Sequence, residues 1–163
     1  MEIKLNNNII LVFKTTAKHL ESIAPPLNHD YTTSFLYNNI EVEYSFDRYI
    51  FKKNGIEIDW QFISDFLEQT IANLDELIKQ SYSILFPLQS IIFQGQFDKK
   101  EGEFVLTTIQ LTECFYTSDV LTYCKFQLTF DNEYTFDPYY CYRVEFIKSY
   151  GRTTMIGAKR EEH

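Results

Sequence analysis

The chain is short of the residues that mark most catalytic and cofactor sites. It has five Gly, four Pro, three His, three Cys and one Trp in 163 residues. The glycines are scattered. No GxGxxG or GxxxxGK[ST] stretch is present to cradle a phosphate, and no GxSxG elbow to present a serine. The histidines are His19, His29 and the last residue, His163, and His29 beside Asp30 is the one local pair worth naming. That pair reads as part of a solvated loop. With no HExxH, Cys/His cluster or calcium loop, neither a metal nor a cofactor is expected. Cys114, Cys124 and Cys141 form no CxxC and read as small, reduced packing residues. No run approaches the roughly 18 apolar residues of a spanning helix. The first residues, Met1 to Asn6, have neither a basic stretch nor an apolar one, so the expected location is the cytoplasm. One domain over residues 1–163 is expected at this length.

What the chain does have is aromatic side chains, 17% of the total, chiefly 12 Tyr and 15 Phe. At that density they fill a core or form a recognition surface. Ile40, Val42, Tyr44 and Phe46 alternate with Glu41, Glu43, Ser45 and Asp47, the pattern of a half-buried strand. Asn38-Asn39 reads as the turn before it. Asn54-Gly55, between Tyr49–Phe51 and Ile56–Ile58, reads as a type I′ hairpin. Glu2–Thr16 reads as a strand or tight hairpin, and Lys18–Asp30, with Pro25-Pro26, as a loop. From Ile63 to Leu85 the apolar residues recur every three or four positions. This predicts one long amphipathic helix over about 60–86, capped by Asp59 and stopped by Pro87. Strands are expected at Ser90–Phe97, Glu103–Glu113, Val120–Phe130, Tyr139–Ile147 and Thr153–Lys159, the last two as a hairpin. The fold class is α+β: a curved, mainly antiparallel sheet, a meander of hairpins, packed against that helix. Only the helix is long enough to supply a parallel crossover.

Charge is uneven. Residues 30–76 carry ten acids and three bases, whereas residues 143–163 carry five bases and three acids; the whole chain is at −8. The acids read either as solvated faces or as a docking surface for a basic partner. Glu41, Glu43 and Asp47 on the strand and Asp65 and Glu68 on the helix are the candidate contacts. An acidic surface repels nucleic acid, although an aromatic-rich sheet could otherwise stack single strands. Glu41 and Glu43 share a strand face and do not straddle a substrate as paired glycosidase acids do, so no catalytic residue is expected. Phe46, Phe62, Phe66, Phe126, Phe130 and Phe146 follow the apolar faces and read as core. Tyr134, Phe136, Tyr139, Tyr140 and Tyr142 bracket Asp137-Pro138 and cannot all point inward. Tyr134, Tyr139, Tyr140 and Tyr142 therefore join the candidate contacts.

The stretches FDPYYCYRVEF and GRTTMIGAKREEH resemble the closing strand pair of small bacterial immunity proteins. These are encoded beside polymorphic or contact-dependent growth-inhibition toxins. The likeness extends to the general character of the chain, which is small, acidic, α+β, rich in Asn, Ile, Phe and Tyr, and without an active site. It implies a cytoplasmic, non-enzymatic partner of one cognate toxin domain, often a nuclease, which it neutralises. No membrane or nucleic-acid partner is implied. Two alternatives stay open. One is a small-molecule-binding or enzyme domain with a pocket between helix and sheet; the other is a single-stranded nucleic-acid binder.

Overall fold

The structure, a computed structural model, describes residues 1–5, 10–15, 31–51, 58–93, 104–118, 120–132 and 139–162. In chain order the strands are β1 (Glu2–Lys4), β2 (Ile10–Val12), β3 (Lys14–Thr15), β4 (Tyr31–Tyr37) and β5 (Ile40–Phe46). A 3-10 turn (Arg48–Ile50) leads to the helices α1 (Trp60–Ala72) and α2 (Leu74–Ile92). The strands β6 (Phe104–Thr117), β7 (Val120–Asn132), β8 (Tyr140–Ser149) and β9 (Arg152–Glu162) complete the chain. β1 and β2 form a separate antiparallel pair, as a hairpin near the N-terminus requires. The other seven form one sheet in sequence order, β3 to β9, and only the β5–β6 pairing is parallel. That pairing is the one joined through the helices, because a parallel neighbour needs a long crossover.

Turn chemistry sets the hairpins. Asn38 and Asn39 have φ of 50° and 64°, the left-handed values that a two-residue turn needs between Tyr37 and Ile40. Tyr150 and Gly151, at 49° and 76°, do the same between Ser149 and Arg152. The β6–β7 ladder slips register at Leu106/Thr108, Leu111/Glu113 and Phe115/Tyr116. Each slip leaves an unpaired residue and bends the strand.

Four expectations need correction. The long helix is two helices. Asn73 interrupts it, donating both its side-chain amide (2.7 Å) and its backbone N–H (3.2 Å) to the Gln69 carbonyl. A local side-chain bond of this kind competes with the helical ladder. Pro87 does not stop the second helix, which runs on to Ile92. Buried Leu85, with Leu88 and Ile92 packed on the core, holds that last stretch against the roughly 3 kcal/mol that an interior proline costs. Ser90–Ile92, expected in a strand, belongs to this helix. Tyr49 and Ile50 are likewise not a strand: they lie in the 3-10 turn, and Phe51 makes a single parallel bridge to Cys114. The Asn54-Gly55 hairpin, the Lys18–Asp30 loop and all three histidines lie outside the described residues. Asp59 does cap α1, its carboxylate accepting the Phe62 N–H at 2.9 Å.

Both helices lie on one face of the sheet. Phe66 of α1 meets Tyr44 and Phe126 with ring centroids 6.2 and 5.3 Å away. Tyr82 of α2 meets Phe104 and Phe130 at 6.1 and 6.0 Å, and its hydroxyl donates to the Phe104 carbonyl at 2.7 Å. The alternating residues Val42, Tyr44 and Phe46, Phe126, Leu128 and Phe130, and Tyr142, Val144 and Phe146 are buried beneath them. At about 25 cal/mol per Å² of apolar area removed from water, this aromatic layer is the main source of stability.

Candidate functional site

The other face of the sheet carries no helix among the described residues. Strand alternation places Glu41 and Glu43 there, since Val42 and Tyr44 point to the helices. Register continues the row of Glu43 across Thr108, Thr129, Arg143 and Lys159. The next row joins Ser45, Gln110, Gln127, Glu145 and Gly157. The Gln127 side-chain amide donates to Gln110 within that row.

Along this face the acids divide. On β6 to β9 they are paired: Glu113 with Lys125 at 2.8 Å, Glu161 with Arg143 and, at 2.6 Å, with Lys159, and Glu145 with Lys159 at 3.7 Å. Lys159 and Arg143 together hold the Glu161 carboxyl below the ordinary carboxylate range. On β5 both carboxylates are exposed, and neither has an ion-pair partner among the described residues. Glu41 accepts a hydrogen bond from Ser34 Oγ at 2.6 Å. The two glutamates line a groove of about 600 Å³ together with Ile10, Val12, Lys14, Thr32 and Ser34. Ile10 and Val12 are 54% and 56% exposed, so their side of the groove is apolar. Leu36, opposite Glu41 in the register, is 72% exposed. Ser45, on the same face of β5, is buried and its hydroxyl has no partner.

The candidate contacts do not form one surface. Asp65 and Glu68 sit on α1, behind the sheet from Glu41 and Glu43; Asp65 accepts from Gln61 at 2.9 Å. Asp47 follows β5 and takes the Tyr49 N–H at 2.8 Å, so its carboxylate shapes the turn. Tyr139 is exposed and Tyr140 half-buried, at the start of β8. Two strands, β6 and β7, lie between β8 and β5, a separation of roughly 14 Å. The Arg160 guanidinium stacks 3.3 Å above the Tyr140 ring. Tyr142 is a correction: it is fully buried, edge-on to Phe104 at 5.0 Å, and belongs to the core. Tyr134 lies outside the described residues. Conversely, Ile10, Val12 and Leu36 were not among the expected contacts. The signal for Ile10 and Val12 was the run Ile9 to Phe13, too apolar for every member to point inward from one strand; Leu36 lies outside that run.

Elsewhere the chemistry is quiet. Burial raises the Cys114 and Cys141 thiols and pushes Cys124 up to about 11, which suits packing and opposes nucleophilic work. No His/Cys/Asp/Glu group among the described residues is arranged to hold a metal ion. A second cavity of about 240 Å³ opens where the helices meet at Asn73, against Phe126, Lys148 and Thr153. Lys148 there gives a hydrogen bond to Gln69 Oε1 at 2.5 Å, and burial lowers its pKa. Arg143 is on the opposite face, bound to Glu161. No helix among the described residues is long and apolar enough to cross a membrane. Comparison with protein families, curated proteins and solved structures finds no match to this chain. The fold and site define an α+β chain with one helix-covered sheet face and one polar face, whose acids at the β4–β5 end have no ion-pair partner among the described residues.

Proposed function

We propose that the chain is a binding protein without catalytic activity, an immunity-type protein that neutralises a cognate basic toxin domain in the cytoplasm. One observation carries this reading: acids on the far half of the polar face are matched by bases, whereas Glu41 and Glu43 are exposed and have no ion-pair partner among the described residues. Unmatched exposed charge does little for stability and acts chiefly on encounter and partner choice. A nuclease domain is a suitable partner, because a surface built to hold phosphate is cationic.

The reading requires a neighbouring gene for a large secreted protein with a toxic C-terminal domain, and the test is co-expression with that domain. Cells carrying both should grow, and cells carrying the toxin alone should not. With the purified pair, changing Glu41 and Glu43 together to Lys should slow association at least about tenfold at low salt and flatten its salt dependence. Failure to protect would overturn the immunity reading. Unchanged association would remove the acidic strand from the contact.

A further inference from the structure

The groove beside β5 has a definite pattern. Glu41 and Glu43 are two residues apart on β5, so their carboxylates repeat at about 7 Å along one side. Ile10 and Val12 are two apart on β2 and repeat at about the same distance along the other. Both pairs are exposed and line the same 600 Å³ groove. Lys14 also lines it without an ion pair to either glutamate among the described residues. Exposed apolar area beside uncompensated charge is unusual on a surface that only needs to be soluble.

From this we propose that the groove between β2 and the β4–β5 hairpin receives an extended segment of the protein partner. That segment carries basic side chains at alternate positions and apolar ones between them. The inference rests on the binding-protein reading above and names the chemistry of its contact. An extended chain also alternates its side chains at about 7 Å per pair. Its cations therefore fall in step with Glu41 and Glu43, and its intervening side chains with Ile10 and Val12. Leu36, across from Glu41, extends the apolar contact at the hairpin end. Recognition of this type combines charge steering with burial of a few apolar anchors.

The probe is a capped hexapeptide alternating arginine and valine, titrated into the isotopically labelled full chain while backbone amide shifts are followed. The largest shifts should fall at Thr32–Ser34, Glu41–Glu43 and Ile10–Val12. A peptide alternating arginine and glycine should bind several-fold more weakly, and one alternating glutamate and valine should not bind. The double variant Glu41→Gln/Glu43→Gln keeps the shape of both side chains and should weaken the arginine–valine peptide at least about tenfold. Three results would overturn the proposal: no shifts at millimolar peptide, shifts centred on Asp65 and Glu68, or equal binding by the double variant. The peptide titration does not involve the toxin. If the peptide binds in the groove but the toxin is not neutralised, the groove stands and the immunity reading fails. If the toxin is neutralised equally well by the double variant, the reverse holds.

Discussion

The two faces of the sheet use the same strands for different ends. On the helix-covered face, alternate residues of β5 to β8 are aromatic or aliphatic and stack ring against ring, as Phe126 does on Phe146 at 5.2 Å. Few polar groups are admitted there, and the Tyr44 hydroxyl among them is left without a partner. On the other face, the residues between are mostly charged, amide-bearing or hydroxyl-bearing. From β6 to β9 several of them form ion pairs with one another; at β5, Glu41 and Glu43 have no ion-pair partner among the described residues. The difference separates side chains that hold the fold from those left available. Stability resides in the first face and neutrality in the paired half of the second, and the recognition proposed above is assigned to its β4–β5 end.

The sharpest way to break this division is to mutate neighbours on one strand. Phe126 is buried between Phe66 and Phe146. Phe126→Ala removes a ring and leaves a cavity, which should cost about 3–5 kcal/mol, read as a drop in urea midpoint at unchanged slope. If it cost under about 1 kcal/mol, the helix-covered face would not be the source of stability.

Much of this division was written in the alternation of the strands. Val42, Tyr44 and Phe46 had to face the helices, so Glu41 and Glu43 had to face away from them and from Asp65. That much makes one acidic surface spanning strand and helix untenable from the pattern alone. Tyr142 was equally legible: it shares parity with Val144 and Phe146, whereas the tyrosine count drew attention to it as a surface residue. The helix break was not legible. The three- and four-residue spacing runs through Asn73 without a gap, and asparagine is only about 0.7 kcal/mol worse than alanine in a helix. What decides is a side-chain bond to Gln69 that spacing does not reveal. Nor could spacing show that Pro87 would be tolerated, since the contacts of Leu85, Leu88 and Ile92 that hold its helix are tertiary. The groove joins β2 to a hairpin some way further along the chain, and a local pattern carries no information about that contact.

A smaller effect is expected at the rim of the helix-covered face. Tyr37 closes the β4–β5 hairpin, and its hydroxyl donates to the Asp75 carboxylate in the first turn of α2. Burial, then the Asp75 carboxylate, pushes the phenol up to about 12. The folded state keeps this proton where the unfolded chain loses it. The contribution is therefore complete below about pH 10 and is lost as pH rises towards 12. Tyr37→Phe should cost about 1 kcal/mol at pH 8. The gap between the two proteins should narrow between about pH 10 and 12, because the phenylalanine variant has no proton there to lose. A gap that widened with pH would reverse the assignment. Other buried tyrosines titrate alike in both proteins and cancel in the difference.

The smallest effect belongs next door to the largest. Lys125 precedes Phe126 on β7 and points the other way, to Glu113 at 2.8 Å, with its side chain 39% exposed. Its ammonium also lies 5.7 Å from the Tyr123 ring centroid, and Tyr123 is stacked on Phe115 at 5.1 Å. An ion pair this open to water is screened and gains about 0–1 kcal/mol. Lys125→Ala should therefore shift the urea midpoint by less than a third of the Phe126→Ala shift, and the shift should shrink in about 1 M salt. It should also leave peptide affinity in the β5 groove within about twofold, because β6 lies between β7 and the hairpin and the Debye length is about 10 Å in 0.1 M salt. A large change in affinity would mean that the two halves of the polar face act as one electrostatic surface. The pairing on β6 to β9 would then serve to tune Glu41 and Glu43, and not only to neutralise its own half.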